Sequence, residues 1–81
     1  MPKVNDATTT RRYAVILEPT STGFSAYSPD VPGCAAAGDT LEETRNNFRE
    51  ALELHFDAMR LVGEPIPEST SGVDYVEVAP A

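Results

Sequence analysis

Apolar and polar residues alternate along the first half of the chain in a pattern that predicts three β-strands. Residues 13–18 are rich in β-branched and aromatic side chains, and Pro19 ends the run. A Thr-Ser-Thr-Gly turn separates this run from a second one at residues 24–28. A loop with two prolines and a glycine is expected at residues 29–33, followed by a short third strand at residues 34–37. The pattern therefore predicts a β-meander.

The spacing of apolar residues then changes to the period of an α-helix. Asp39 and Thr40 are both suited to cap a helix, and each has a glutamate three residues later, so either completes a capping box. The helix is predicted to run to about Val62, because Gly63 and Pro65 are typical of a helix stop. One stripe is predicted to pack on the sheet, and it comprises Leu41, Arg45, Phe48, Leu52, His55, Met59 and Val62, flanked by Ala51 and Phe56.

A second alternating run follows a linker rich in proline, serine and threonine. Residues 73–78 are β-rich and predict a final strand that returns to the sheet. The elements together predict an α+β fold of order β-β-β-α-β, with a single helix on one face of the sheet. Residues 1–10 have no periodicity and predict a loose N-terminal arm, residues 11–78 form one domain, and residues 79–81 are a tail.

Size and composition limit the class of protein. A chain of 81 residues with 41% hydrophobic residues is long enough for one domain and too apolar to be disordered. Its core is small, so self-association is expected to help stabilise it. Neither a membrane span nor a signal peptide is apparent, and a single cysteine cannot form an internal disulfide. These features predict a soluble, cytoplasmic protein.

The charge is acidic and unevenly distributed. The net charge is −7, and positive and negative residues balance over residues 1–38. Residues 39–81 carry ten acidic residues against three arginines, so all the excess lies in the second half. An acidic domain is poorly suited to hold phosphate backbones, so direct nucleic-acid binding is not expected. A basic protein partner is favoured instead.

Catalytic and metal-binding patterns are sparse. His55 lies on the apolar helix stripe, and Cys34 has no second cysteine or adjacent histidine with which to bind zinc. Glu18, Asp30 and Asp39 flank predicted strand ends and could in principle gather around metal ions as in a nuclease. A strand-end charge, a turn residue and a helix cap explain the three more simply. No enzyme activity, cofactor or metal site is predicted.

Two sets of residues are candidates for contacts with other molecules. The first, Tyr27, Asp30, Pro32 and Gly33, lies in or beside a rigid loop that could seat a partner at low ordering cost. A simple turn, capped by Asp30, is the alternative. The second set is Leu54, Ala58 and Leu61, which share the helix side opposite the apolar stripe and are candidates for a subunit contact. Isolated exposed leucines are the alternative there.

The stretch Phe-Ser-Ala-Tyr-Ser-Pro-Asp-Val-Pro-Gly-Cys at residues 24–34 is the most specific motif in the chain. With Ala-Ala-Gly-Asp-Thr-Leu-Glu-Glu at residues 36–43, it resembles the HicB family of bacterial and archaeal antitoxins. Residues 13–18 and 63–67 are also similar to that family's N-terminal domain, so that the resemblance extends over residues 12–78.

The resemblance implies a fold and a role. The fold is similar to a degraded ribonuclease-H-like domain that lacks the catalytic residues. Domains of this family assemble as dimers or tetramers. The implied role is to bind a small basic mRNA-cleaving toxin of the HicA type and to occlude its active site sterically. A stand-alone oligomeric binding or scaffold protein of the HicB-like type, without a toxin partner, is equally consistent with the residues.

Many HicB antitoxins continue into a helix-turn-helix or ribbon-helix-helix domain that binds DNA. In this chain only Ala79, Pro80 and Ala81 follow Val78. The chain is therefore expected to contain the N-terminal HicB domain alone and not to bind DNA directly, unless residues 1–10 contribute.

Overall fold

Three antiparallel strands and one helix make up the regular structure of the protein. A computed structural model describes residues 11–80. Strands β1 (Ile16–Pro19), β2 (Phe24–Ser28) and β3 (Val31–Gly38) form a sheet of order β1-β2-β3, and helix α1 (Leu41–Leu61) follows. The predicted α+β class, with a meander before a single helix, is confirmed. The predicted N-terminal arm lies outside the described residues.

The register of the strands separates the sheet into a covered and an open face. Two rows of residues cross the three strands, Leu17-Ala26-Ala36 under the helix and Ile16-Tyr27-Ala35 on the opposite side. The core lies between the first row and α1, where Ala26, Val31, Cys34 and Phe48 are buried. The helix covers one face only, as predicted.

The predicted helix stripe is correct in its middle and wrong at its ends. Phe48 is buried, but Leu41 and Val62 are 49% and 71% exposed, and Thr44 is fully buried instead. The reason is the close approach of the first helical turn to the end of β3. A Cβ atom on Gly38 would lie only 2.9 Å from the backbone nitrogen of Thr44, so the missing side chain lets Thr44 pack inward and turns Leu41 toward solvent.

The helix begins at the predicted capping box. Thr40 is the N-cap, and its hydroxyl accepts a hydrogen bond from the Glu43 N–H at 3.0 Å. The Glu43 carboxylate in turn accepts one from the Asp39 N–H at 2.6 Å. Two backbone donors at the helix start are thereby satisfied.

The helix ends just before Gly63, as predicted, with Val62 as its C-cap. Gly63 has a φ of +80°, which glycine adopts without strain. Its N–H donates to the Arg60 carbonyl at 3.2 Å, and the Glu64 N–H donates to the Met59 carbonyl at 2.9 Å. This pair of bonds is a Schellman motif, which satisfies carbonyls at the end of the helix.

Strand β3 starts earlier than the sequence predicts and is irregular. Pro32 and Gly33, expected in a loop, lie within it, and Gly33 has a φ of +84°. The pairing with β2 shifts between Tyr27 and Ser28, which marks a β-bulge. The side-chain amide of Asn47 donates to the Ala37 carbonyl at 2.9 Å, so α1 also contacts this strand through a hydrogen bond.

The predicted final strand is not confirmed. Residues 64–80 contain neither helix nor strand in the described part of the chain. Residues 73–78 are all exposed, and Tyr75 and Val76 are 89% and 83% exposed. A strand requires a neighbouring strand for its backbone hydrogen bonds, and none of β1 to β3 pairs with this segment.

Candidate functional site

The carboxylate of Asp30 joins the turn between β2 and β3 to a segment 40 residues further along the chain. It accepts hydrogen bonds from the backbone N–H groups of Thr70 and Ser71, at 3.0 and 2.9 Å. The hydroxyl groups of the same two residues contact its other oxygen, at 3.2 and 2.8 Å. We call this arrangement the Asp30 clamp. A carboxylate has only acceptor sites when ionised, so four donors suit it well.

The clamp depends on the charge of the carboxylate. Hydrogen bonds from the Ser71 backbone and side chain, followed by those from Thr70, lower the pKa of Asp30 below its usual value, while desolvation opposes them. Donors stabilise the ionised form of a carboxyl group more than the neutral form. Asp30 is therefore charged when the clamp is closed near neutral pH.

Tyr13 holds the same returning segment at a second point. Its hydroxyl donates to the Pro67 carbonyl at 2.6 Å, and its ring packs on Phe56 of α1, with ring centroids 5.4 Å apart. Tyr13 therefore contacts the helix and the returning segment together. Residues 67–71 are held across the end of the sheet at which β1 begins and β2 meets β3.

The remaining residues of the first predicted contact set lie near the clamp. Tyr27 is 43% exposed on the open face of the sheet, in a row with Ile16 and Ala35. Pro32 and Gly33 are exposed on β3. The structure thus leaves Tyr27, Pro32 and Gly33 accessible to a partner and engages the Asp30 carboxylate within the chain.

An acidic stripe with leucines lies on the solvent side of α1. Acidic residues recur every seventh position at Glu43, Glu50 and Asp57, and Leu54 and Leu61 have the same spacing. A spacing of seven is close to two helical turns, so these residues share one side of the helix. Leu54 and Leu61 are 71% and 88% exposed, and Ala58 is exposed beside them. The second predicted contact set is accessible.

A cleft of about 410 Å³ lies beside the start of the sheet. Two stretches of chain border it, residues 12–14 before β1 and residues 71–73 after the clamp. Arg12 is one of the residues that line it. The cleft therefore lies beside the stretch of chain that leads into β1.

The residues weighed for catalysis are not brought together. Strand pairing places Glu18 and Asp39 near the end of the sheet where β1 meets β2, whereas Asp30 lies in the turn at the other end. Over residues 11–80, no three histidine, cysteine or carboxylate side chains are close enough to hold a metal ion. Cys34 is buried, and desolvation raises the pKa of its thiol, which keeps it in the less reactive neutral form.

The Asp30 clamp is not predicted from the sequence. Thr70 and Ser71 lie in the expected linker, because serine and threonine are common in linkers and nothing local connects them to Asp30. The acidic residues on the solvent side of α1, by contrast, follow from the helical period, and their exposure agrees with it. Among the described residues, no helix is both long and apolar enough to cross a bilayer.

Comparison with protein families gives a clear match. A family model described as "HicB_like antitoxin of bacterial toxin-antitoxin system" matches residues 13–81. The chain is also similar to a chain of a solved HicA3 and HicB3 toxin-antitoxin complex, with a TM-score of 0.66 and 33% sequence identity. That similarity covers 74% of this chain and 70% of the other.

Curated relatives agree with the family match. The chain is 38% identical over 64 residues to an uncharacterized 14.9 kDa protein of Haemophilus phage HP1, covering 79% of this chain and 48% of the phage protein. It is 38% identical over 68 residues to Antitoxin HicB 2 of Photorhabdus laumondii, covering 83% and 49%. A UPF0150 protein of Synechocystis is 37% identical over 57 residues, covering 69% and 72%. The chain thus spans about half the length of the phage and Photorhabdus relatives.

Proposed function

The chain belongs to the HicB-like antitoxin family of bacterial toxin-antitoxin systems, and we propose that it binds a small basic ribonuclease toxin of the HicA type and occludes its active site. The observation that carries this proposal is the similarity to a chain of the HicA3 and HicB3 complex. The mechanism is steric and requires no reaction by this chain. A cytoplasmic location, where mRNA is available to the toxin, belongs to the same proposal.

The charge distribution supports a basic partner. Ten acidic residues lie in the second half of the chain, and those of the acidic stripe are exposed on α1. Opposite charges on two proteins accelerate their encounter and disfavour partners of like charge. Glu50 and Asp57 are accordingly proposed to attract the toxin.

The open face of the sheet supplies a second set of proposed contacts. Tyr27 offers a large, rigid aromatic ring of the kind that often anchors interfaces. Pro32 and Gly33 present backbone at the adjacent strand, and Asp30 fixes the turn that joins the two strands. We assign Tyr27, Pro32 and Gly33 to direct partner contact and Asp30 to the positioning of their turn.

Two further parts of the family's properties belong to this proposal. One is that the sheet and α1 form a degraded ribonuclease-H-like core without catalytic carboxylates, to which a strand at residues 73–78 is added. The other is self-association as a dimer or tetramer, in which the exposed Leu54, Ala58 and Leu61 form a subunit contact. DNA binding by this chain is not part of the proposal.

Co-expression with any small basic protein that a neighbouring gene encodes tests the function. The expected result is rescue of growth and co-purification of the two proteins as a stable complex. Tyr27→Ala should weaken the complex, whereas Thr22→Ala, which changes an exposed residue of the turn between β1 and β2 outside the proposed surfaces, is the control. Neither rescue nor complex formation would contradict the proposal and favour a stand-alone oligomeric binding or scaffold protein.

A further inference from the structure

Residues 73–78 have the composition of a strand but no strand to pair with. Val73, Tyr75, Val76 and Val78 are between 52% and 89% exposed. β-branched and aromatic residues are enriched in strands because they pack well on a half-buried sheet surface. Four such residues left in solvent within six positions form an apolar segment that a partner would cover.

The two outer edges of the sheet differ in their capacity to accept this segment. The outer edge of β3 contains Pro32, which has no backbone N–H, and the bulge disturbs its regular pairing. The Ala37 carbonyl on the same strand already accepts a hydrogen bond from Asn47. On the β1 side, by contrast, the strand pairs only with β2 among the described residues, and a cleft lies just before it between residues 12–14 and 71–73. The β1 edge is therefore the better acceptor.

The Asp30 clamp determines where the segment leaves the domain. It holds Thr70 and Ser71 at the end of the sheet, and Val73 lies at the cleft beside Arg12. Beyond that point the chain does not turn onto its own β1, since residues 73–78 stay exposed and unpaired. The segment is presented outward from a fixed position.

Charge favours a second copy of this chain as the acceptor. The segment carries Asp74 and Glu77, whereas Arg12 lines the cleft beside the stretch of chain that leads into β1. An acidic strand that enters a cleft with an arginine gains a favourable interaction, although the two chains as wholes repel each other at −7 each. Every copy has both the segment and the cleft. In a pair related by two-fold symmetry, each segment can therefore enter the cleft of the other copy.

We propose that residues 73–78 form a strand in the sheet of a second copy, beside β1, and that two copies exchange these strands reciprocally. This inference rests on the self-association included in the proposed function and is independent of toxin binding. The exchanged strand gains backbone hydrogen bonds and apolar cover that it lacks within its own chain. The contact at Leu54, Ala58 and Leu61 is then available to join such pairs into tetramers.

Hydrogen exchange combined with mass measurement tests the proposal on the full chain. At high concentration, light scattering should give the mass of two or four chains, and the amides of residues 74–78 should be protected from exchange. Dilution to single chains should remove the protection, because the strand is supplied to another copy. Protection that persists in single chains would instead mean pairing with the chain's own sheet and would overturn the proposal.

Two matched substitutions separate the exchanged strand from other contacts. Val76→Pro removes an N–H within the segment and should raise the dissociation constant of the pair on the order of tenfold or more. Ala79→Pro, just outside the segment, is the control and should leave it unchanged. Leu54→Glu combined with Leu61→Glu should reduce tetramers to pairs without loss of protection at residues 74–78.

The outcomes distinguish this inference from the proposed function. A full chain that is a single copy at all concentrations would contradict self-association itself. A pair that forms while residues 74–78 remain unprotected, or that Val76→Pro leaves intact, would contradict strand exchange alone. Protection that appears only when a small basic protein is added would assign the segment to that protein and likewise overturn the proposal.

Discussion

Asp30 is the residue that holds the C-terminal segment at Thr70 and Ser71. Its carboxylate accepts hydrogen bonds from two backbone and two hydroxyl donors. An asparagine at this position keeps the size of the side chain but replaces one acceptor oxygen with a donor group. The clamp therefore requires a carboxylate, and its stability should follow the ionisation of that group.

We predict that the clamp opens in acid. The pKa of Asp30 is lower in the folded chain than in the unfolded chain. Its contribution to stability is therefore fully present above the unfolded value of roughly 4 and is lost as the pH falls through the folded value. The amide resonances of Thr70 and Ser71 should shift in that acidic range and should not do so in Asp30→Asn. Resonances that titrate equally in both proteins would contradict the clamp.

At Gly38, the absence of a Cβ atom allows the first turn of α1 to pack closely on the end of β3. In Gly38→Ala the new Cβ would press on the backbone of Thr44, which is buried in the first turn of α1. Overpacking of this kind costs about 1–3 kcal/mol, so the midpoint of chemical unfolding should fall. Gly72→Ala is the control, since a Cβ there meets no atom within 4 Å. Equal stability of the two variants would show that the helix start can move.

Among the secondary-structure elements, α1 is capped at both ends by hydrogen bonds to its terminal backbone groups. Thr40 provides the first of these through the Glu43 N–H. Thr40→Ala should lower the free energy of unfolding by about 1 kcal/mol, because a helix donor loses its acceptor. Thr22→Ala, in an exposed turn, serves as the comparison in denaturant titrations. A loss no larger than that of Thr22→Ala would mean that water replaces the cap.

The helix was predictable from sequence because its signals are local. The capping box and Gly63 lie within a few residues of the ends they specify, and the structure has both as predicted. Strand β3 was less predictable. Pro32 and Gly33 are usually loop residues, and only the pairing of the neighbouring Val31 with Ser28 includes them in a strand. That pairing is a property of the folded sheet.

For the molecule as a whole, the fold class was predictable from the sequence, whereas the contacts between distant parts of the chain were less so. Three strands before one helix follow from periodicity, but the clamp joins residues 40 positions apart that have no distinctive local pattern. The final strand illustrates the same limit. Residues 73–78 carry the local pattern of a strand, whereas the formation of a strand depends on an available neighbour, which local sequence does not specify.

The acidity of the molecule leads to a prediction about association with a basic protein. Long-range attraction between the exposed acids and a cationic partner should accelerate binding, and salt should screen it. Stopped-flow association rates with a small basic toxin of the HicA type should therefore fall as ionic strength rises, while dissociation rates change less. Glu50→Lys should reduce both the rate and its salt dependence. An association rate that is independent of salt would contradict electrostatic attraction.

The irregular outer edge of β3 has a consequence for how far the protein can assemble. An open edge at each side of a sheet would allow copies to add without limit, as in fibrils. Here the proline, the bulge and the Asn47 hydrogen bond make β3 a poor template. The addition of further copies to the sheet would then stop once the β1 edges are occupied. The protein can therefore form an assembly of fixed size even though its C-terminal segment is apolar and exposed.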